Sequence, residues 1–155
     1  MAFCGVIIAS FSFYMVSMSL LTGTDDLVEF IAENYSGRVV EVGAGYVPEV
    51  AQGLQARGLD VVLTDKEERL LSGLRVEKDD IFSPRLELYR EASLLYSIRP
   101  PLEMQLAMGQ LAAKIGADVL IRPLMDEVAE LPGFSRRLVN RGQARFYLFA
   151  GKQQV

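Results

Sequence analysis

The stretch Val39-Val40-Glu41-Val42-Gly43-Ala44-Gly45-Tyr46 is the part of this sequence best suited to chemistry. A β-branched run ends in two glycines one residue apart, and Pro48 follows where a helix would begin. Glycines at such a bend let backbone approach a ligand closely and adopt turn conformations that other residues avoid. Asp65 lies 20 residues beyond Gly45, at the end of the next apolar run, Asp60-Val61-Val62-Leu63-Thr64-Asp65. A carboxylate in that place can accept hydrogen bonds from ribose hydroxyls, or can simply cap a strand end. Glu41 either organises the loop from within or contacts the ligand. The pattern stops short of a dinucleotide fingerprint, because G-x-G-x-x-G needs glycine where Pro48 stands. That argues against a nicotinamide-dependent oxidoreductase.

Composition narrows the chemistry further. The chain has no histidine and one cysteine, Cys4. Histidine-based acid–base and nucleophilic catalysis, histidine zinc ligands, internal disulfides and cysteine zinc clusters are therefore excluded, and no metal site is expected. Such cysteine usage fits a reducing, cytoplasmic setting. A chain of 155 residues that is 50% hydrophobic and 23% charged has the size and composition of one globular domain.

The elements that must hold these residues follow from spacing. Thr24 is expected to cap a helix carrying Leu27, Phe30 and Ile31, closed by Gly37. Residues 38–42 read as a strand, Pro48 opens a second helix that ends at Gly58, and 60–65 read as a second strand. Residues 66–73 suggest a short helix, 74–82 a short strand and an acidic turn, 84–91 another helix, and 92–98 a buried strand. Pro100 and Pro101 start a helix that Gly116 closes, and 117–123 form the next strand. Residues 135–149 read as two antiparallel strands around Asn140-Arg141-Gly142. Apolar strands alternating with helices predict an α/β fold: a single doubly wound, mostly parallel sheet flanked by helices, with a C-terminal antiparallel hairpin.

The run Glu41-Val42-Gly43-Ala44-Gly45 resembles motif I of the S-adenosylmethionine-dependent methyltransferases. In that family the loop wraps the methionine part of the cofactor, the second-strand acid takes the ribose, and an acidic turn after the third strand contacts the adenine. Asp79-Asp80-Ile81-Phe82 occupies the place of that turn, with Asp80 as adenine contact or as a cap. The combination VVEVGAGY, LTDKE, DDIFSP, YSIRPP and a basic terminal hairpin resembles, over residues 24–150, a small uncharacterised archaeal family with a shortened methyltransferase-like Rossmann fold. The resemblance implies S-adenosylmethionine as cofactor, held by Glu41, Gly43, Ala44, Gly45, Tyr46, Asp65, Lys66, Asp80 and Ile81. It places the candidate catalytic residues at Ser97, Arg99, Pro100 and Pro101, where amino-methyltransferases carry an Asn/Asp-Pro-Pro-aromatic motif. Here Arg99 precedes the prolines and Leu102 follows them. Arginine accepts no hydrogen bond and leucine is a poor stacking platform, so methylation of a base amine is not carried over. Three readings remain: a small methyltransferase, a non-catalytic nucleoside- or partner-binding module, and the disfavoured oxidoreductase.

Both ends of the chain are unusual in charge. Residues 1–24 carry none. Residues 1–21 read as an extension to a domain spanning 22–155: upstream sequence before a start at Met15 or Met18, a membrane anchor, or an extra packed element. Four serines and the lack of any flanking basic residue disfavour a membrane span. At the other end, Arg136, Arg137, Arg141, Arg145 and Lys152 stand without an acid. Residues 133–155 thus carry +5 and the remainder −9. They suit an anionic partner such as RNA, or a solvated hairpin kept soluble by its arginines.

Overall fold

The computed structural model describes residues 22–152; the expectations for residues 1–21 fall outside them. Among the described residues three helices, α1 (Thr24–Asn34), α2 (Glu49–Ala56) and α3 (Leu102–Ile115), pack on one sheet. Its eight strands are β1 (Arg38–Val42), β2 (Asp60–Asp65), β3 (Arg69–Leu71), β4 (Leu74–Lys78), β5 (Ala92–Ile98), β6 (Asp118–Arg122), β7 (Phe134–Arg141) and β8 (Ala144–Gly151). They lie in the order β3-β4-β2-β1-β5-β6-β8-β7. β4, β2, β1, β5 and β6 are parallel, and β3 and the β7–β8 hairpin add antiparallel edges.

Strand alternation sorts the core into two layers. Val39, Leu94, Tyr96, Leu120 and Phe146 pack against Leu27 and Ile31 of α1 and Val50 and Leu54 of α2. Val40, Val42, Leu95, Val119 and Ile121 pack on the opposite face against Met108, Leu111 and Ala112 of α3. Burial on both faces is why these strands are continuously apolar rather than alternating. α2 approaches α1 closely because Gly53 carries no side chain: a Cβ there would lie 2.8 Å from a Val28 methyl. The chain leaves β1 toward β2 on one side, while β5 lies on the other. The sheet's topological switch point therefore falls between β1 and β5, and clefts form beyond the carboxyl ends of strands at such a point.

Three local expectations are corrected. Residues 66–73 form no helix. Ser72 and Gly73 take φ of +49° and +82° and turn β3 back onto β4, with Leu71 opposite Leu74. Two positive-φ residues in a two-residue loop match the twist of a hairpin, and this outweighs the helical tendency of Glu67-Glu68-Arg69-Leu70-Leu71. Of residues 84–91, only Leu86–Tyr89 coil, as one tight 3-10 turn. The N-cap of α1 is Gly23 in a left-handed conformation, and Thr24 is the first helical residue.

Candidate functional site

The glycine loop grows directly from β1. Gly43 and Gly45 have φ of +70° and +58°, a region costly for residues with a Cβ. Ala44, buried between them, donates its N–H to the Thr64 carbonyl at 2.9 Å, and the Thr64 hydroxyl donates to the Glu41 carbonyl at 3.0 Å. These bonds tie the loop to β2 and bring Gly45 onto Asp65: the Gly45 N–H donates to Asp65 Oδ2 at 3.1 Å. The two residues, 20 positions apart in the chain, are thus in contact. The side of Gly45 on which a Cβ would stand is open, with nothing within 4 Å.

Asp65 is held by three donors within the protein. It also accepts from the Lys66 N–H at 2.8 Å and pairs with Arg69 Nη2 at 2.8 Å. Burial pushes its carboxyl up, but the Arg69 contact and the two N–H donors outweigh burial and hold it below the usual value. The same Arg69 nitrogen donates to the Gly45 carbonyl, and the guanidinium lies 4.7 Å from the ring centre of the exposed Tyr46. Arg69 therefore fills the corner between loop and acid. It was not singled out from sequence, because its position depends on the β3–β4 hairpin; its spacing of four from Asp65 was the available signal.

The acidic turn divides its labour. Asp79 is buried, accepting from the Arg85 N–H at 2.8 Å and from the Tyr89 hydroxyl at 2.5 Å. Asp80 is exposed and accepts from the Phe82 N–H at 2.9 Å. Lys66, Asp80, Glu68 and Arg85 border an open cleft of about 600 Å³, while Ile81 packs into the α3-side core. Asp80, with Lys66, thus faces open space, and Asp79 anchors the turn.

Beneath the loop, Glu41 is 2% exposed; its Oε1 and the Tyr96 hydroxyl at the paired position on β5 are close enough to interact but form no well-aligned hydrogen bond with each other or with any other described residue. Burial pushes the Glu41 carboxyl up to about 8, with the Tyr96 hydroxyl opposing and the charges of Asp65 and Glu49 adding to the rise. Among the catalytic candidates, Ser97 is buried and donates to the Val42 carbonyl at 2.6 Å, so it braces the loop root. Arg99 has φ +57° and donates its N–H to the Arg122 carbonyl at 2.7 Å. Pro101 caps α3 and Pro100 is buried. Gln105, fully buried, donates to the Pro100 and Glu127 carbonyls and accepts from the Ala129 N–H. It fastens the 123–131 loop to the start of α3, a role hidden in an apolar helical stripe.

The basic residues of the hairpin split between its faces. Arg141 makes two 2.7 Å hydrogen bonds to the Glu33 carboxylate on α1, and Arg137 shares its strand parity. Arg136 instead lies 5.6 Å from the Tyr147 ring centre, and Arg145 pairs loosely with Asp126 at 3.6 Å. Among the described residues no helix is long and apolar enough to cross a membrane.

The strand order, the two-sided packing and a glycine loop at the switch point define a methyltransferase-like Rossmann domain. The chain belongs to the uncharacterised protein family UPF0146, whose sequence model matches residues 24–150. A UPF0146 protein of Archaeoglobus fulgidus is 45% identical over 123 residues, covering 79% of this chain and 91% of the relative. Among solved structures, a TehB-like S-adenosylmethionine-dependent methyltransferase from Corynebacterium glutamicum superposes with a TM-score of 0.58 at 14% identity, covering 93% of this chain and 97% of the other. The ribosomal protein L11 methylase of Lactobacillus delbrueckii gives 0.55 at 13% identity, over 85% and 78% of the two chains. At such identities the likeness is one of fold.

Proposed function

We propose that this protein binds S-adenosylmethionine at the glycine loop and acts as a small methyltransferase. One observation carries the reading: the Gly45 N–H and the Asp65 carboxylate meet at 3.1 Å at the β1–β2 corner beside the switch point, with open space among the described residues on the Gly45 side. The residues fit the cofactor in donor chemistry. Asp65 supplies the acceptor that ribose hydroxyls need, once Arg69 yields it. Glu41 lies buried beneath the loop, its Oε1 without an aligned partner among the described residues. Asp80 and Lys66 border the neighbouring cleft, where an adenine edge would find both an acceptor and a donor. The methyl sulfonium is activated by its own positive charge, so the chain's task is binding and alignment, which alone lowers a barrier by several kcal/mol. Lack of histidine is no obstacle to such chemistry, and a cytoplasmic setting accords with it.

Calorimetry of the full chain with S-adenosylmethionine and S-adenosylhomocysteine tests the reading. Saturable binding that Asp65→Asn weakens by about 10- to 100-fold is expected; no heat at about millimolar ligand from folded protein overturns it. A second reading, a non-catalytic nucleoside-binding module, draws on Ser97, whose hydroxyl is committed to Val42. It predicts the same binding with no transfer of labelled methyl to any acceptor.

A further inference from the structure

Beyond the carboxyl ends of β5 and β6 lies a second cleft of about 320 Å³, the scale of a small-molecule site. Its lining includes Arg99, Arg122, Arg145, Asp126, Gln143 and Tyr147. Three arginines thus line one cavity, with Asp126 the single acidic residue among its described lining. That carboxylate, on Asp126, meets Arg145 only at 3.6 Å, and both side chains are more than half exposed, so the pair is loose. Arg122 is half-buried. Its Nη2 donates to the Thr22 carbonyl, whereas its Nη1 is buried with no partner among the described residues. A buried N–H donor left unpaired is costly, and an arginine fork is shaped to meet a carboxylate or phosphate in two parallel bonds. Arg99 adds a second charge beside it. Burial and the nearby Arg99 charge both lower the Arg122 pKa, as expected for cations held together without their anion.

The backbone builds this arrangement at a cost. Arg99 sits at φ +57°, a left-handed conformation uncommon for a residue with a long side chain. Its N–H bond to the Arg122 carbonyl fixes the two residues side by side, just past the Ile98–Arg122 register pair of β5 and β6.

We infer that the cleft between Arg99, Arg122 and Arg145 is a binding site for the carboxylate or phosphate group of a small molecule. The anion site stands on the arginines alone. That its ligand is the methyl acceptor rests on the function proposed above, since β5 borders both this cleft and the glycine loop.

The experiment is calorimetric titration of the full chain at fixed ionic strength, with inorganic phosphate in one arm and citrate in the other. The proteins are wild type, Arg99→Asn, Arg145→Gln and, as a control distant from the cleft, Arg75→Gln. Asparagine tolerates the left-handed backbone at 99, so that variant should fold, as circular dichroism melting will verify. Saturable binding of at least one anion is expected, weakened about tenfold or more by Arg99→Asn, less by Arg145→Gln and not by Arg75→Gln. The arm that binds identifies a phosphate- or carboxylate-bearing ligand. No saturation with either anion at about 20 mM overturns the inference. So does an equal loss in Arg75→Gln, or binding confined to a single-stranded RNA oligonucleotide. Anion binding by a protein that ignores S-adenosylmethionine would leave this site standing and remove the proposed cofactor; the reverse result would do the opposite.

Discussion

Two corners of the same sheet edge, on opposite sides of the switch point, solve opposite electrostatic problems. At the β1–β2 corner the acid is satisfied: Asp65 receives two backbone N–H groups and the Arg69 guanidinium. At the β5–β6 corner the base is not: among the described residues Arg122 keeps a buried nitrogen unpaired, beside the charge of Arg99. The first corner is stable as it stands and must be opened before a ligand enters. The second, on the inference above, would be relieved by an anion. A closed acid and an open base next to each other suit a protein that takes a neutral ribose on one side and an anion on the other.

The residue between the corners gives the largest expected effect. Glu41 is held protonated by burial up to about pH 8, against an ordinary carboxylate value of 4.5. Its folded pKa is raised, so the unfolded chain sheds the proton first. Stability is full below the ordinary value and falls as pH climbs toward 8, by up to about 1.4 kcal/mol per pH unit. Glu41→Gln mimics the neutral form. Urea unfolding across this range should show a declining stability in wild type and a much flatter profile in the variant. Equal slopes would mean that Glu41 is ionised in the fold.

Next in size is the pair that closes the β1–β2 corner. Asp65→Asn removes a charged acceptor and should weaken S-adenosylmethionine by about 10- to 100-fold, the usual worth of a hydrogen bond to a charged group. Arg69→Gln removes the internal competitor and should strengthen binding by up to about tenfold, while lowering stability by about 1 kcal/mol. The Asp65 pKa is depressed in the fold, so its contribution is present above the ordinary carboxylate range and lost as pH falls through the folded value. Arg69→Gln should therefore also blunt the acid limb of unfolding. If both variants weaken the cofactor alike, Arg69 is a ligand-holding residue and not a competitor.

Gly45→Ala separates space from conformation at that corner. Nothing lies within 4 Å of the added carbon, but φ is +58°. The expected cost is about 1 kcal/mol of stability from backbone strain alone. A larger loss of cofactor affinity than of stability would show that the open side of Gly45 is where the ligand passes.

How far these features could be read without coordinates depends on the range of the interactions. The β1 strand, its glycine bend and the partnership of Gly45 with Asp65 follow from local patterning and a parallel neighbour, and they stand as expected. The alternation of apolar runs was enough to give the two-sided sheet and its terminal hairpin. The β3 strand was hidden because three residues are too few to show a period of two, and Ser72-Gly73 is a weaker turn signal than Asn-Gly. Arg69 then could not be placed, since only that hairpin returns it to Asp65. Arg99 and Arg122 are 23 positions apart in the chain and meet because β5 and β6 are in a particular register, which no local pattern records. Gln105 was masked by its neighbours: one polar residue in an apolar helical stripe carries no sign of the loop it will hold.

The smallest effect is also the sharpest mirror of Arg69→Gln. Asp126→Asn removes the only carboxylate lining the β5–β6 cleft among the described residues, as Arg69→Gln removes the cation from the other corner. Asp126 pairs with Arg145 at 3.6 Å, with 78% of its side chain exposed. Loose surface pairs of this kind contribute little to folding, so the thermal midpoint should move by less than about 2 °C. Affinity for the anion should nevertheless rise by about two- to fivefold, because a competing negative charge is gone from a cleft whose three arginines pair with no other carboxylate among the described residues. The two substitutions then differ in kind. At the closed corner, freeing the site costs stability; at the open corner it costs almost none. A large destabilisation by Asp126→Asn would mean that its carboxylate already neutralises the arginines, and the two corners would be alike.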